Sequence, residues 1–465
     1  MKIIIAGAGE VGYHLAKLLV KESQEIVIID LDKQKLNQIE SKLDVITILG
    51  DCTSFKILRQ ANVETSDIFI AVTEIQDTNL TSAMIAKKLG AKKTIARVSN
   101  PEYLLRENAI PIMRSGIDSI ISPEQLAANE IIELVENAQF NGIHPFEKGE
   151  LNLIGIKIDE NSCLLGDCLA KVLNTSENQN LFKPIAIVRE ENGIYETIIP
   201  HDDFKLEAED LIYFISKKEA KAALTKFTNI KGNAIKSIVV LGGGRIGKKT
   251  TIKLLDLGYR VKLIELEEQV AEAVSEEILN ATIIYGDARD GEILEEAGIE
   301  ETDLVIAVTG RSETNIMASL LSKSKGVKKT IALVENIDYI NLSQDIGISS
   351  FVNKKLLAAD HIFKFVRKGH VLDMTHLSDL EAEVLEYRVN EDSKIENKTI
   401  KELNLPKGLI IAGIIRKKEG IIATENHVFL AGDKVVLFAK PDAIVKAENL
   451  FLEKTFLDKF INGII

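Results

Sequence analysis

Two short glycine-rich motifs are the part of the sequence whose residue types and spacing point most directly to chemistry. They read Gly7-Ala8-Gly9-Glu10-Val11-Gly12 and Gly242-Gly243-Gly244-Arg245-Ile246-Gly247. In such a motif the first glycine permits a tight turn, the second lets a pyrophosphate approach the backbone, and the third allows close helix–strand packing. A helix that opens there offers free N–H groups and its positive dipole end to phosphates. The motifs therefore predict two phosphate-binding loops.

A carboxylate follows each motif at the distance expected of a dinucleotide site. Asp30 ends the second predicted strand 18 residues after Gly12, and Glu265 stands 18 residues after Gly247. A carboxylate at this position suits the hydroxyl pair of an adenosine ribose and would repel a 2′-phosphate, so NAD is favoured over NADP. The alternative for either copy is that its glycines serve the turn alone.

Further candidate binding residues follow the predicted strands at the same edge of each sheet. In a parallel sheet, residues just past the carboxyl ends of the strands line the ligand crevice. These candidates are Asp51, Cys52, Asp287 and Ala288 after the third strands, Thr73, Glu74 and Thr309 after the fourth, and Arg97 at the end of the fifth. An equally weighted alternative makes Asp51 and Asp287 helix N-caps. Asn79 and Asn315, early in the next helices, are expected to be structural.

The chain repeats itself, and the repeat decides the predicted architecture. Residues 70–103 and 306–339 are identical at 16 of 34 positions. Each copy alternates short apolar strands with amphipathic helices, which predicts a Rossmann-like, doubly wound parallel α/β sheet. The strands predicted in the first copy are Lys2–Ala6, Glu25–Asp30, Val45–Leu49, Ile68–Val72, Thr94–Val98 and Ile117–Ile121. A stretch of β-branched strands after each copy predicts a small α+β module, and Asn192–Gly193 predicts a hairpin turn in the first of them. The predicted domains are 1–140 and 235–370 for the sheets, and 141–225 and 371–455 for the modules, with a hinge near 218–236.

Composition excludes several classes of function. The 465 residues carry a net charge of −13, which disfavours nucleic-acid binding because that binding depends on neutralising phosphates. No apolar run approaches the roughly 20 residues of a membrane-spanning helix. The cysteines Cys52, Cys163 and Cys168 form no CxxC pair, and no metal site is predicted.

The sequence also lacks the residues that an enzyme would need. None of the seven histidines recurs between the copies, and no GxxxxGK[ST] or nucleophile-elbow motif occurs. A dehydrogenase would need a positioned acid or base near the crevice. We therefore expect a binding protein rather than an enzyme, with an NAD-dependent oxidoreductase as the alternative.

The halves resemble tandem RCK (regulator of potassium conductance) units, also called KTN units, which consist of TrkA-N and TrkA-C domains. The resemblance rests on KIIIAGAGEVG with Asp30, the Gly-Asp pair after the third strand, IAVTEIQDTN, ARVSNPEY and IDSIISPEQLAANEI. It implies a cytoplasmic regulatory subunit, peripheral on the inner face of the membrane, that binds NAD(H) or ATP/ADP. It further implies a homo-oligomeric RCK ring beneath a TrkH-like potassium translocator. A regulator of another ion channel or antiporter is a second alternative.

The resemblance assigns the family's binding positions to Gly7 through Val11, Asp30, Thr73, Glu74 and Arg97, and in the second copy to Gly242 through Ile246, Glu265 and Thr309. Leu333 stands where the first copy has Arg97, so the two sites are expected to differ. The long helices that start at Pro123 and near Asn353 are candidates for a crossover between subunits. The alternative is that each is an ordinary last helix of its domain. The apolar face of the first of these helices comprises Leu126, Ile131, Leu134 and Val135.

Overall fold

The computed structural model divides into two compact units, each of which draws on both halves of the chain. One unit comprises Met1–Val135 and Ile235–Val366, and the other comprises Glu136–Ala234 and Arg367–Ile465. The structure describes residues 1–20, 24–138, 140, 143–158, 160, 162, 164–165, 180–191, 194–200, 204–220, 223–224, 235–336, 339, 347–366, 371–377 and 382–452. Cys163, Cys168, the predicted turn Asn192–Gly193 and much of the predicted hinge lie outside these residues.

The first unit contains two parallel sheets of six strands, one from each half of the chain. The first sheet has the strand order β3-β2-β1-β4-β5-β6. Its strands are β1 (Lys2–Ala6), β2 (Glu25–Asp30), β3 (Ile46–Leu49), β4 (Ile68–Ala71), β5 (Lys93–Arg97) and β6 (Ser119–Ile121). Its helices are α1 (Glu10–Val20), α2 (Lys33–Glu40), α3 (Phe55–Gln60), α4 (Gln76–Leu89), α5 (Arg106–Arg114) and α6 (Pro123–Glu136).

The second sheet repeats this order as β14-β13-β12-β15-β16-β17. Its strands are β12 (Ser237–Leu241), β13 (Arg260–Glu265), β14 (Thr282–Tyr285), β15 (Leu304–Ala307), β16 (Lys329–Leu333) and β17 (Ser350–Val352). Its helices are α7 (Arg245–Asp256), α8 (Glu268–Glu277), α9 (Gly291–Glu296), α10 (Ser312–Ser324) and α11 (Lys354–Val366). In both sheets the order reverses beside the first strand, which is where open α/β sheets bind ligands.

The central strands are apolar along their whole length because helices cover both faces of a parallel sheet. Every residue of β4 and of β15 is buried. The register pairs β1 in parallel with β2 and β4, and β12 with β13 and β15. The fold class predicted from the alternation of strands and helices is thereby confirmed.

The last helix of each half packs against the other half within this unit. On α6, Ile131 and Val135 belong to one hydrophobic cluster with Ile246 and Leu254 of α7, and Leu134 packs against that cluster. In the same way α11 packs along α1. The crossover is expected between subunits, whereas here these helices join the two halves of a single chain. Ile131, Leu134 and Val135 of α6 are packed by the other half without a second chain.

The second unit consists of two five-stranded antiparallel sheets, which share a hydrophobic cluster that includes Phe146, Ala186, Val384 and Phe438. The strands are β7 (Ile143–Phe146), β8 (Leu151–Lys157), β9 (Phe182–Glu191), β10 (Ile194–Ile198), β11 (Leu211–Lys217), β18 (Val371–Leu377), β19 (Ala382–Arg388), β20 (Leu409–Arg416), β21 (Glu419–Ile422) and β22 (Lys434–Ala439). A helix, α12 (Pro441–Phe451), closes the second module.

Candidate functional site

The three glycines of each loop have different roles, and the first and last are required by the backbone. Gly7 has a φ of +116°, and a Cβ on Gly12 would lie 1.9 Å from the carbonyl oxygen of Gly7. Gly242 and Gly247 repeat this arrangement, with a φ of +108° and a Cβ distance of 1.8 Å. These four glycines are required by the fold alone, whether or not a ligand binds.

The middle glycine of each loop has no such structural reason. A Cβ added to Gly9 or to Gly244 would meet no atom within 4 Å, and neither residue has a positive φ. Each lies at the start of a helix, directly before Glu10 of α1 and Arg245 of α7. The space above the middle glycine is therefore open, and free N–H groups of the helix border it. This cradle fits a pyrophosphate.

The two carboxylates at the ends of the second strands are fixed beside these loops. Asp30 accepts hydrogen bonds from the backbone N–H of Ala8 at 2.6 Å and of Asp32 at 2.8 Å. Glu265 accepts them from Gly243 at 2.5 Å and Glu267 at 2.9 Å. Each carboxylate oxygen keeps a second lone pair, because a carboxylate has about four acceptor positions. The geometry suits hydroxyl recognition next to the phosphate cradle.

Thr73 and Thr309 are held at the fourth strand ends by the buried asparagines. The side-chain amide oxygen of Asn79 accepts from the N–H and hydroxyl of Thr73, and its NH₂ donates to the carbonyl oxygens of Thr73 and Arg97. Asn315 makes the same four bonds to Thr309 and Leu333. Both asparagines are 1% exposed. They tie adjacent strand ends together, which is the structural role expected of them.

The helix N-cap alternative for Asp51 and Asp287 is wrong. Ser54 precedes α3 and Asp290 caps α9. Asp51 instead accepts from the N–H and hydroxyl of Thr53, both at 2.8 Å. Each aspartate sits in a local turn that the following residues complete, so its side chain stays at the sheet edge.

The residues near Asp51 and Asp287 differ in charge between the two halves. Arg289 forms a two-oxygen ion pair with Asp287, with a closest distance of 2.6 Å. Its hydrogen bonds hold the pKa of Asp287 below the ordinary value. Cys52 and Ala288, next in sequence, are both 6% exposed. Burial raises the pKa of the Cys52 thiol, which makes it a poor nucleophile.

The remaining predicted residues divide into side chains that face the edge and side chains that do not. Ala8, Val11 and Ile246 are buried, so only their backbone can contact a ligand. Glu74, like Glu10 and Arg245, is exposed. Arg97 is half-buried, and its guanidinium forms no ion pair with the residues that the structure describes. Leu333, its counterpart, is buried.

One charged residue at the first loop was not predicted. Lys355, on α11, lies with its Nζ 2.9 Å from the carboxylate of Glu10. It comes from the other half of the chain, so no local motif could have indicated it. The pairing depends on the exchange of the last helices described above.

Family comparisons agree with this layout. The TrkA-N domain family matches residues 3–123 and 238–354, and the TrkA-C domain family matches residues 384–452. The chain belongs to the TrkA family. The family matches cover both glycine loops, both acidic strand ends and the second small module.

Two curated relatives extend over nearly the whole chain. A Trk system potassium uptake protein TrkA homolog of Archaeoglobus fulgidus is 34% identical over 97% of this chain and 100% of its own length. The Trk system potassium uptake protein TrkA of Halomonas elongata is 31% identical over 94% of this chain and 95% of its own. Among solved structures, the GsuK channel bound to NAD shares the fold with a TM-score of 0.58, at 16% identity over 97% of this chain and 78% of that one. Within the residues that the structure describes, no helix is both long and apolar enough to span a membrane.

Proposed function

We propose that this TrkA-family chain is a regulatory subunit of a Trk potassium uptake system that binds NAD(H), or ATP and ADP, at its two glycine loops. The observation that carries the proposal is the open space above Gly9 and Gly244, where an added Cβ would meet no atom within 4 Å. The fold does not require glycine at these two positions, but a pyrophosphate that approaches the backbone does. Asp30 and Glu265 stand beside these spaces and would hold the adenosine ribose.

In this proposal the nucleotide acts as an effector and undergoes no reaction. When bound, it supplies negative charge and apolar surface at the junction of two strands and a helix. It can shift the equilibrium between two shapes of the assembly only by its difference in affinity for them. Such a shift, in a ring of these units on the cytoplasmic face, would act on a TrkH-like membrane translocator.

Calorimetric titration of the whole chain with NADH tests the binding. We expect two binding events in the unaltered protein, and the loss of one event in each of Gly9→Val and Gly244→Val. Because a Cβ at either position meets no protein atom within 4 Å, we expect both variants to keep the melting temperature of the parent. Binding that is unchanged in both variants would overturn the assignment of the sites.

Two further measurements test the regulatory role and the partner. Absorbance at the nicotinamide band, followed with a panel of substrates, should show no sustained oxidation of NADH. Pull-down from detergent-solubilised membranes, with and without NADH, should recover a potassium translocator. Turnover of NADH would favour the oxidoreductase alternative, and recovery of an antiporter or another channel would change the partner.

A further inference from the structure

A cation from the second half lies at the first glycine loop. Lys355 is the second residue of α11, and its ammonium contacts the carboxylate of Glu10, the first residue of α1, at 2.9 Å. Glu10 directly follows Gly9, above which the cradle is open. The ammonium is thus separated by one glutamate side chain from the backbone N–H groups that a phosphate would accept from.

Lys355 also pairs with a second carboxylate, which lies at the edge of the second site. Its Nζ is 2.8 Å from Glu335, which also pairs with Lys354 at 2.6 Å. Glu335 lies two residues beyond the end of β16, and its backbone N–H donates to the hydroxyl of Ser312 at the start of α10. Burial alone would raise the pKa of Glu335, but the two lysines lower it below its ordinary value. Glu335 is therefore an anion that Lys355 and Lys354 neutralise together.

The second loop has the opposite arrangement of charge. Arg245 occupies the position of Glu10, and Glu124 on α6 occupies that of Lys355, with its charge acting on Lys249 of α7. The cation at the second loop belongs to the loop itself. At the first loop the cation is Lys355, which also contacts Glu335 at the edge of the second site.

We propose that Lys355 is a phosphate-binding residue of the first nucleotide site and that, because Glu335 shares it, it couples the occupancy of the two sites. The inference rests on the proposed nucleotide function. A phosphate at the first loop competes with Glu10 and Glu335 for the ammonium. When Lys355 turns to the phosphate, Glu335 loses one of its two cations, and the edge of the second site becomes more negative.

The expected coupling is negative, because an anionic ligand binds less well beside a less neutralised carboxylate. It is also reciprocal, since a coupling free energy between two sites acts equally in both directions. Nucleotide at the second site should therefore weaken binding at the first by the same factor. We expect a factor of roughly five, at the lower end of the usual range for coupled sites.

Single-site backgrounds isolate the first effect. In Gly244→Val, which leaves the first site, ATP titration should show roughly tenfold weaker binding after Lys355→Gln, as expected for the loss of one charge-assisted bond. Glu10→Gln in the same background should tighten binding, because it frees Lys355 for the phosphate. The opposite signs separate ligand binding from a structural ion pair, for which both variants would behave alike. Lys354→Gln is the matched control, because Lys354 contacts Glu335 without contacting Glu10.

The coupling is then measured by comparing affinities at two sites with affinities at one. The second ATP should bind roughly fivefold more weakly to the parent than ATP binds to Gly9→Val, which has the second site alone. Lys355→Gln should remove that difference, and Lys354→Gln should keep it. Coupling that survives Lys355→Gln, or Glu10→Gln and Lys355→Gln shifts of the same sign, would overturn the inference while leaving the proposed function intact. Absence of any ATP or NADH binding would overturn both.

Discussion

The two glycine loops share one backbone and carry opposite charges. Gly7 and Gly242 turn the chain in the same left-handed conformation, and the first and last glycines touch in both loops. Yet the first copy has Glu10 and Arg97 at the positions where the second copy has Arg245 and Leu333. What the fold requires has been kept twice, while side chains that only a ligand or a neighbouring helix would meet have diverged. The repeat thus separates scaffold from recognition within one molecule.

The largest expected effect tests the shared scaffold. Gly12→Ala and Gly247→Ala place a methyl group within 2 Å of a backbone carbonyl, which must move. We expect each to destabilise its half by about 3 kcal/mol, at the upper end for overpacking, as measured by urea unfolding. The controls Gly9→Ala and Gly244→Ala should change the unfolding free energy by less than about 0.5 kcal/mol. Unequal losses at Gly12 and Gly247 would mean that the loops are less alike than their backbones indicate.

This division explains how much could be predicted from sequence. Parallel sheets, glycine turns and strand-end acids follow from local patterns, and the predicted strands β1 to β6 match the structure to within two residues at each end. The acids lie beside the loops because the carboxyl ends of parallel strands share one edge. The helix α5 was not predicted, because Pro111 interrupts its pattern.

Long-range pairings could not be predicted from local patterns. Lys355 reaches Glu10 because the last helices are exchanged between halves, and the residues are 345 positions apart. The strands β7 and β18 were likewise not predicted, because each is an edge strand that pairs on one side only. The sequence identifies residues that could bind a ligand, and the exchange of the last helices determines which of them lie together.

The next effect compares the two small modules. Glu386 on β19 is 2% exposed, whereas Gly155 occupies the matching place on β8. Burial and the nearby charge of Asp373 raise the pKa of Glu386 from 4.5 to about 7. Between these values the folded chain keeps a proton that the unfolded chain loses. The free energy of unfolding therefore falls as pH rises through this window, by at most about 3 kcal/mol for a shift of this size.

Replacement of Glu386 by glutamine should remove this pH dependence. We expect Glu386→Gln to match the parent at pH 4 and to exceed its unfolding free energy by up to about 3 kcal/mol at pH 8. Urea unfolding across that range measures the difference. Glu419→Gln, an exposed carboxylate on β21, is the control and should show no such trend. A difference between Glu386→Gln and the parent that is constant with pH would contradict the assignment.

A smaller effect tests the inequality of the nucleotide sites. In the Gly244→Val background, Arg97→Leu gives the first site the residue that the second site has. Loss of one charge-assisted bond to phosphate should weaken NADH and ATP binding roughly tenfold, about 1.4 kcal/mol. Arg114→Leu, an exposed arginine on α5, is the control. If the tight affinity is unchanged for both ligands, Arg97 does not bind phosphate and the difference between the sites has another source.

The smallest expected effect concerns the carboxylates after the third strands, where Arg289 pairs with Asp287 while Asp51 accepts from Thr53. Both partners of the pair are partly exposed, so solvent screens their attraction and Arg289→Ala should lower stability only slightly. Because Arg289 lowers the pKa of Asp287, the stabilisation is present above the ordinary value of 3.8 and is lost as pH falls through the lowered pKa. Melting temperatures of Arg289→Ala and the parent should therefore differ at pH 6 and converge as the pH falls below 3.8. In the Gly9→Val background the same variant should alter NADH affinity by no more than a few-fold, since it frees a carboxylate for the ribose and also removes a nearby cation. Thr53→Ala is the matched variant of the first half. Because it removes no charge, the difference between its melting temperature and that of the parent should not shrink at low pH.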